Sequence, residues 1–282
     1  MKNTTMNRRT FLKVSAVAGS GLLVGCTFSS PKLLSTPQAS EAELGFWVRI
    51  DTDDTVTLIL PASEMGQQAH TGQAMLVAEE LEADWESIRV VTAPYHSEFI
   101  NPGADPRGIQ VTGGSASISF FWEKLRQVGA GTREMLTTAA AQEWGVPVEE
   151  CQADNGRIRH SGSGRSLSYG QLVIAAAKLS PPDSPALKTP DQFRLIGKSI
   201  PKLHTPIRIN GTAQYGIDIR RPGMLFAAVS QSPVFGGQIK SYDEAEARAV
   251  RGVEAVVPIP NGVAVVADST WHAMQGLEAL KP

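Results

Sequence analysis

The chain has 282 residues, of which 19% are charged, and a formal net charge of −2. Because the sequence contains no basic run or stripe, this balance argues against a nucleic-acid or other polyanionic partner. The two cysteines, Cys26 and Cys151, form no CxxC motif and the five histidines show no metal-ligand spacing, so no metal or iron–sulfur site is expected from these residues.

The N-terminus has the composition of an export signal. A cationic lead with Lys2, Arg8 and Arg9 precedes a mildly apolar stretch, residues 14–24. That stretch has about 11 residues, whereas a membrane-spanning helix needs about 20, so it predicts an export signal in residues 1–26. The lead NRRTFLK, residues 7–13, resembles the twin-arginine motif. An ordinary secretory signal with a chance arginine pair is the alternative.

The apolar stretch ends in LVGC, residues 23–26, which resembles a bacterial lipobox. Cys26 is therefore the predicted lipidation site, with cleavage by the general signal peptidase as the alternative. Residues 27–43 are rich in Ser, Pro and Ala and predict a tether. We expect a periplasmic protein that crosses by the twin-arginine export machinery and is held on the membrane surface by a lipid anchor.

The predicted folded part begins with a β-hairpin formed by residues 46–50 and 55–60. A first glycine loop, residues 63–68, leads into a helix near residues 71–83, and a strand follows at 88–92. A second glycine loop, residues 112–117, opens the longest predicted helix, residues 117–144.

The next elements have clear turn and cap signals. The Asn155-Gly156 pair predicts a tight hairpin, and Ser168 with Gln171 forms a capping box for a helix over residues 169–179. Four prolines between residues 180 and 190 predict a linker. Further strands are predicted at residues 224–230, 253–259 and 263–267, and helices at 243–250 and 270–280.

The two glycine loops are the best candidates for a ligand site. Each precedes a predicted helix, where free N–H groups and the helix dipole favour a phosphate, and small residues let a bulky ligand approach the backbone. Together they suit a phosphate-bearing cofactor. Turns and caps with no ligand are the alternative for either loop taken alone.

Other polar residues are weaker candidates. His70 follows the first loop and can contact a ligand, although a polar residue at a helix start is the simpler interpretation. Glu79 and Glu80 are predicted to lie on a solvated helix face. No Ser/His/Asp set can be assembled from spacing alone.

Several motifs together resemble the molybdopterin-binding large subunits of the xanthine dehydrogenase and aldehyde oxidase family, in particular the isoquinoline 1-oxidoreductase β-subunit type. The motifs are EMGQ at residues 64–67, AEEL at 78–81, TGGSAS at 112–117, WEKLR at 122–126, SYGQL at 168–172, GTA at 211–213, GID at 216–218, PGML at 222–225 and VVADSTW at 265–271.

The resemblance implies an α+β fold and gives both loops a role. It implies the N-terminal portion of a molybdopterin-binding domain over residues 44–179, a linker over 180–209 and an α/β hammerhead domain over 210–282. Gly66 and Gln67 match the family's glutamine loop on the molybdenum cofactor, and Gly114, Ser115 and Ser117 match its phosphate-holding loop. The implied cofactor is molybdenum–molybdopterin, in its cytosine dinucleotide form.

Two departures from the family pattern affect these expectations. Gln68 stands where the family usually has glycine, which costs about 1 kcal/mol or more if the position needs a positive φ. The segment with the family's general-base glutamate is not among these residues, so no catalytic residue is assigned, and we expect the isolated chain to be inactive and to hold no stoichiometric molybdenum.

Two hypotheses about function remain. The first is the N-terminal part of a molybdenum hydroxylase that acts on N-heterocycles or aldehydes and passes electrons to a small [2Fe-2S] subunit and a cytochrome c. The second is a non-catalytic, lipid-anchored binding or assembly protein or a gene remnant.

Overall fold

The computed structural model describes residues 47–101 and 108–280, together with the backbone of residues 21–24. The chain divides into two compact units at the Pro206–Ile207 bond. Helices and strands are mixed throughout, which confirms the predicted α+β class. The twin-arginine motif, Cys26 and the tether lie outside the described residues.

Ten strands and seven α-helices form the described parts of these units. The strands are β1 (Gly21–Val24), β2 (Val48–Asp51), β3 (Val56–Leu60), β4 (Ile88–Thr92), β5 (Cys151–Asp154), β6 (Arg157–His160), β7 (Ser166–Ser168), β8 (Phe226–Gln231), β9 (Val253–Ile259) and β10 (Gly262–Ala267). The helices are α1 (Ala69–Leu81), α2 (Ala116–Ser119), α3 (Trp122–Trp144), α4 (Tyr169–Ala176), α5 (Thr205–Ile209), α6 (Ala245–Ala249) and α7 (Thr270–Ala279).

The first sheet has the order β1-β2-β3-β4. The predicted hairpin is confirmed, since β2 and β3 pair antiparallel and Asp54 turns the chain between them with a φ of 69°. β4 runs parallel to β3, and α1 belongs to the connection between them. The carboxyl ends of β3 and β4 therefore lie side by side at one edge, the position where α/β sheets commonly place ligands.

Helices α1 and α3 pack closely in the first unit. Gly129 of α3 makes this approach possible, because a Cβ there would lie only 2.4 Å from the carbonyl oxygen of Val77. The predicted long helix over residues 117–144 is wrong in one respect, since it is divided into α2 and α3. Phe121 adopts φ −98° and ψ 2° at the break, and its buried side chain packs near Trp47.

The second sheet, β5-β6-β7, confirms the predicted hairpin. Asn155 and Gly156 both have positive φ, as a two-residue hairpin turn requires. Helix α4 follows and begins with the predicted capping box of Ser168 and Gln171. The hydroxyl of Tyr169, the first residue of α4, donates to the Leu81 carbonyl at 2.6 Å and so joins α4 to the end of α1.

The proline-rich segment after α4 is bound to the first unit. We name residues 182–196 the strap. Arg126 and Arg133 of α3 donate to the carbonyl oxygens of Lys188 and Ala186, each at 2.6 Å. Leu195 and Ile196 pack against the hydrophobic core. The strap, whose composition is that of a linker, is therefore held along α1 and α3 by specific hydrogen bonds.

Two buried carboxylates of α1 hold the strap, so the prediction of a solvated face for Glu79 and Glu80 is wrong. Glu79 is 1% exposed and Glu80 is fully buried. Glu79 accepts hydrogen bonds from the backbone N–H groups of Arg194, Leu195 and Ile196 at 2.8, 2.6 and 3.0 Å. It also accepts one from the Lys188 ammonium at 2.6 Å.

Glu80 forms a second set of buried contacts. Its carboxylate pairs with the guanidinium groups of Arg126 and Arg133, at 2.6 and 3.5 Å. It also accepts from the backbone N–H of Lys188 at 3.1 Å. The cost of burying both carboxylates is thus offset by charged and backbone donors that come from distant parts of the sequence.

The second unit is built on a three-stranded antiparallel sheet with the order β8-β10-β9. Helices α6 and α7 pack on this sheet, and its core contains Ala247, Val256, Val263, Val265 and Leu280. The predicted strands and helices of this region are confirmed to within a few residues. None of the helices in the described parts of either unit has the length and apolarity needed to span a membrane.

Candidate functional site

The first glycine loop lies at the edge where β3 and β4 end. It joins β3 to α1, and most of its residues are exposed. Gly66 and Gln68 have positive φ, 106° and 67°. Among the described residues, no heavy atom lies within 4 Å of the position that a Cβ on Gly66 would occupy. The loop therefore has a sharply turned backbone that faces open space.

Glu64 organises this loop and caps helix α1. Its carboxylate accepts from the backbone N–H groups of Gly66, Gln68 and His70, at 2.7, 3.2 and 3.2 Å. Burial by itself would raise the pKa of Glu64, but these three donors and the nearby charge of Lys202 outweigh it and lower the pKa. Sequence signals for a cap are Ser, Thr, Asp or Asn next to the helix, so a glutamate five residues before Ala69 gives no such signal.

The predicted ligand-binding amide of Gln67 is bonded within the loop. Its Oε1 accepts from the Met65 N–H at 2.6 Å, and its Nε2 donates to the Ser63 carbonyl at 2.8 Å. A ligand that bonds this amide must replace these two local hydrogen bonds. The side chain is exposed, so the exchange requires no opening of the core.

The positive φ of Gln68 gives a direct test of loop strain. Glycine adopts this left-handed conformation without the penalty that a side chain incurs. We expect Gln68→Gly to raise the free energy of unfolding by about 1 kcal/mol, measured by urea denaturation. Gln127→Gly, on the exposed face of α3, is the control and should lower it by about the same amount. If both variants changed the free energy of unfolding in the same direction, the strain argument would be contradicted.

The second glycine loop is equally open. Gly114 and Ser115 have φ values of 61° and 55°. Ser115 is the N-cap of α2 but makes no side-chain cap hydrogen bond. Within the described part of the chain, no heavy atom lies within 4 Å of where a Cβ on Gly113 or Gly114 would stand. The predicted residues Gly114 and Ser115 are thus exposed, and Ser117 lies half-buried in the first turn of α2.

The structure brings the two loops together. The Ser63 N–H donates to the hydroxyl oxygen of Thr112 at 2.8 Å, across 49 positions of sequence. Gln73 of α1, which is fully buried, donates from Nε2 to the Ser117 carbonyl at 2.7 Å. Its Oε1 is buried without a hydrogen-bond partner in the described structure. Thr112 belongs to the predicted second loop, but its contact with Ser63 and the role of Gln73 were not predicted, because a contact between loops leaves no local signal in a sequence.

An open pocket of about 400 Å³ lies beside both loops. It combines apolar side chains with several amide and hydroxyl groups. The lining residues are Pro61, Ser63, Met65, Thr92, Ala93, Tyr95, Gln110, Val111 and Thr112. The pocket thus lies at the carboxyl ends of the parallel strands β3 and β4 and joins the two predicted loops into one candidate site.

A Ser–His–Glu contact, which sequence spacing could not reveal, lies at the β6–β7 turn. His160 Nδ1 bonds the Ser163 hydroxyl and His160 Nε2 bonds the Glu150 carboxylate, both at 2.7 Å. In serine hydrolases the hydroxyl bonds Nε2 and the acid bonds Nδ1, so the ring is reversed here. Arg165 also donates to the Ser163 hydroxyl at 2.7 Å. We assign these contacts to stabilisation of the turn.

The described residues contain no group of three or more His, Cys, Asp or Glu side chains that can hold a metal ion. Cys151 is buried and unpaired. Burial, with a smaller contribution from the neighbouring Glu150, raises the pKa of its thiol, which disfavours the reactive thiolate. The two loops and their pocket therefore remain the principal candidate site.

Comparison with known proteins agrees with the motifs in these loops. The chain matches the molybdopterin cofactor-binding domain family over residues 4–218. It is 35% identical to the beta subunit of isoquinoline 1-oxidoreductase from Brevundimonas diminuta, over 82% of this chain and 34% of that protein. It is 31% identical to the membrane-bound aldehyde dehydrogenase [pyrroloquinoline-quinone] of Gluconacetobacter polyoxogenes, over 99% of this chain and 37% of that protein.

Two further similarities are weaker. The B component of nicotinate dehydrogenase from Pseudomonas putida is 29% identical over 87% of this chain and 21% of its own length. The crystal structure of quinoline 2-oxidoreductase from Pseudomonas putida 86 is similar over 50% of this chain and 17% of that one, with 17% identity and a TM-score of 0.31.

The chain spans about a third of the length of the first two relatives. The family match covers most of this chain and includes both glycine loops. The resemblance expected from the sequence motifs is confirmed. The chain belongs to the molybdopterin cofactor-binding domain family.

Proposed function

We propose that the two glycine loops hold the pterin part of a molybdenum–molybdopterin cofactor, and that this chain supplies cofactor contacts to the large subunit of a molybdenum hydroxylase. The observation that carries the proposal is the hydrogen bond between Ser63 and Thr112, which joins two ligand-type loops at one pocket. Each loop alone has an ordinary structural explanation. Their meeting at the carboxyl edge of parallel strands favours a shared ligand.

The residues present fit such a cofactor. Gly66, Gly113 and Gly114 leave open space beside the backbone, as a bulky pterin needs. The hydroxyl groups of the exposed Ser115 and the half-buried Ser117 are suited to a phosphate. The Gln67 amide both donates and accepts, which matches the mixed donors and acceptors of a pterin ring. The buried Oε1 of Gln73, which has no hydrogen-bond partner among the described residues, is an additional acceptor next to the second loop.

When bound, the cofactor supplies the two-electron chemistry by which an N-heterocycle or aldehyde is hydroxylated with oxygen from water. The residues described here bind and orient the cofactor, and none of them is assigned as the general base. We propose a small [2Fe-2S] subunit and a cytochrome c as the electron-accepting partners, a division of labour with which the lack of a CxxC motif in these 282 residues agrees. We propose the cytosine dinucleotide form of the cofactor.

The proposed location is the periplasmic face of the membrane. The arginine pair, Arg8 and Arg9, supports export in the folded state, which suits a protein that is loaded with its cofactor in the cytoplasm. Cys26 supports a lipid anchor. Globomycin treatment, which blocks lipoprotein signal cleavage, should leave the precursor unprocessed. Normal processing in its presence would exclude lipidation at Cys26.

A non-catalytic exported binding or assembly protein is the second candidate. The observation that favours it is the Gln67 amide, whose two polar atoms bond within their own loop. The coding sequence downstream of this chain discriminates between the two. A continuation that encodes a glycine-rich stretch and a glutamate supports the hydroxylase. A stop codon followed by unrelated sequence supports the second candidate.

The loop assignment itself is tested by filling the open space. In the full-length subunit, Gly113→Val should lower the molybdenum and pterin content per protein at least tenfold, because the added side chain occupies the ligand's space. Metal analysis and the fluorescence of oxidised pterin measure this. Gly216→Val is the matched control, since Gly216 also has open space and no positive φ. Equal cofactor content in both variants would refute the assignment.

A further inference from the structure

A short segment before the second unit binds directly to the first glycine loop. We name residues 202–204 the clasp. The Lys202 ammonium donates to the Gly66 carbonyl at 2.9 Å, and the Leu203 N–H donates to the Thr71 hydroxyl at 3.2 Å. His204 Nε2 lies 2.9 Å from His70 Nδ1. Three successive residues thus each bond the loop or the first turn of α1, across more than 130 positions.

For a neutral His70 ring, the hydrogen-bond pattern defines the direction of the contact with His204. His70 is buried, and its Nε2 lies 2.8 Å from the Ala62 carbonyl, which can only accept. In the neutral ring Nε2 therefore carries the proton and Nδ1 is the acceptor. His204 must then donate from its Nε2. The His70 ring is held on one side by the end of the β3 segment and on the other by the clasp.

The clasp acts on a part of the loop that the contacts of Glu64 and Thr112 do not reach. The Glu64 carboxylate holds the N–H groups of Gly66 and Gln68, and Ser63 is fixed by Thr112. The Gly66 carbonyl is bonded by Lys202. Since this carbonyl belongs to the peptide that leads into Gln67, its orientation determines where the Gln67 backbone points.

We infer that Lys202 and His204 are positioning residues for the first glycine loop, which they hold in its ligand-ready shape by acting through Gly66 and His70. That this loop shape suits a ligand rests on the proposed function, whereas the contacts of Lys202 and His204 with the loop do not depend on it. Neither residue belongs to the lining of the described pocket. More than 130 positions of sequence separate them from the loop, so the contacts leave no local signal.

Hydrogen exchange followed by mass spectrometry tests the clasp in the 282-residue chain. The probes are the backbone N–H groups of Gly66, Gln68 and His70. In Lys202→Met and His204→Leu they should exchange about tenfold faster, the change expected when one hydrogen bond no longer opposes local opening. Exchange of the α3 amides should stay unchanged.

Two controls separate positioning from general destabilisation. Lys198→Met removes an exposed lysine four residues from Lys202 and should leave loop exchange unchanged. His204→Gln keeps an N–H donor for His70 and should restore exchange to within about twofold of the wild-type rate. The inference is overturned if loop exchange is unchanged in both clasp variants, if α3 exchange rises equally, or if His204→Gln behaves like His204→Leu.

Cofactor content in the full-length subunit distinguishes failure of the clasp from failure of the proposed function. Faster loop exchange together with an at least threefold loss of bound pterin supports both. Faster exchange with unchanged pterin supports the clasp and contradicts a cofactor role for the first loop. Unchanged exchange, with pterin lost only in Gly113→Val, overturns the clasp and leaves the proposed function intact.

Discussion

Glu79→Ala is expected to lower the free energy of unfolding by about 3–5 kcal/mol, the range for removing one partner of a buried ion pair. The substitution removes one of the two carboxylates that pair with the Lys188 ammonium, which is 8% exposed, and leaves it only the Glu82 carboxylate at 2.5 Å. It also removes the common acceptor of three successive backbone N–H groups, which begin at Arg194. Chemical denaturation of the wild type and the variant measures the difference.

The pH dependence of this effect has a defined sign. Burial would raise the pKa of Glu79, but the hydrogen bond from Lys188 and the N–H groups of Leu195 and Ile196 outweigh it and lower the pKa below its ordinary 4.5. Its stabilisation is therefore complete above that value and is lost as the pH falls through the lower, folded-state pKa. The difference between wild type and Glu79→Ala should shrink on acidification below about pH 4.5.

Glu143→Ala is the matched control, since Glu143 is exposed near the end of α3. It should change the free energy of unfolding by less than about 0.5 kcal/mol at any pH in this range. A loss below about 1 kcal/mol for Glu79→Ala, or a difference that grows in acid, would show that the strap does not depend on this carboxylate.

Gly129→Ala should lower the free energy of unfolding by about 2–3 kcal/mol despite the higher helix propensity of alanine. An added Cβ would lie 2.4 Å from the Val77 carbonyl oxygen and 3.2 Å from the Leu81 nitrogen, so α1 and α3 must move apart. Backbone atoms cannot rotate away as a flexible side chain can. The Cβ of Glu80 lies 3.0 Å away, so the buried ion pairs are disturbed as well.

Gly131→Ala provides a control on the same helix. The nearest atom to an added Cβ there is a Pro182 ring carbon at 3.8 Å, an ordinary contact distance. The substitution should raise stability by up to about 1 kcal/mol through helix propensity. A lower midpoint of thermal unfolding for Gly129→Ala and a higher one for Gly131→Ala support the close approach of α1 and α3 at Gly129. A shift of both midpoints in the same direction would contradict it.

Local signals predicted most of the secondary structure. The Asn155-Gly156 turn, the capping box of Ser168 and the strand Ile88–Thr92 depend on neighbouring residues, and the structure has all three. The break between α2 and α3 was missed, because it results from burial of Phe121 and not from a local helix breaker.

Long-range contacts explain what the sequence analysis could not predict. Two adjacent glutamates on a helix normally face water, and the donors that bury Glu79 lie more than 100 positions away. The two loops were both identified from their glycines, but their junction through Thr112 depends on how the sheet and α1 are arranged. The family's glycine at position 68 raised the strain of a positive φ only as a condition, and Gln68 does have a positive φ of 67°.

The contacts of the strap should keep it bound to the first unit even when the chain is cut near its start. Asp183 and Ser184 are exposed, and the residues after them are held to α1 and α3 by buried charges and backbone hydrogen bonds. A single proteolytic cut there would therefore leave two pieces that stay associated. A synthetic peptide covering residues 185–204 should then bind the remaining piece in trans, because its specificity resides in the Glu79 and Glu80 contacts rather than in the covalent link.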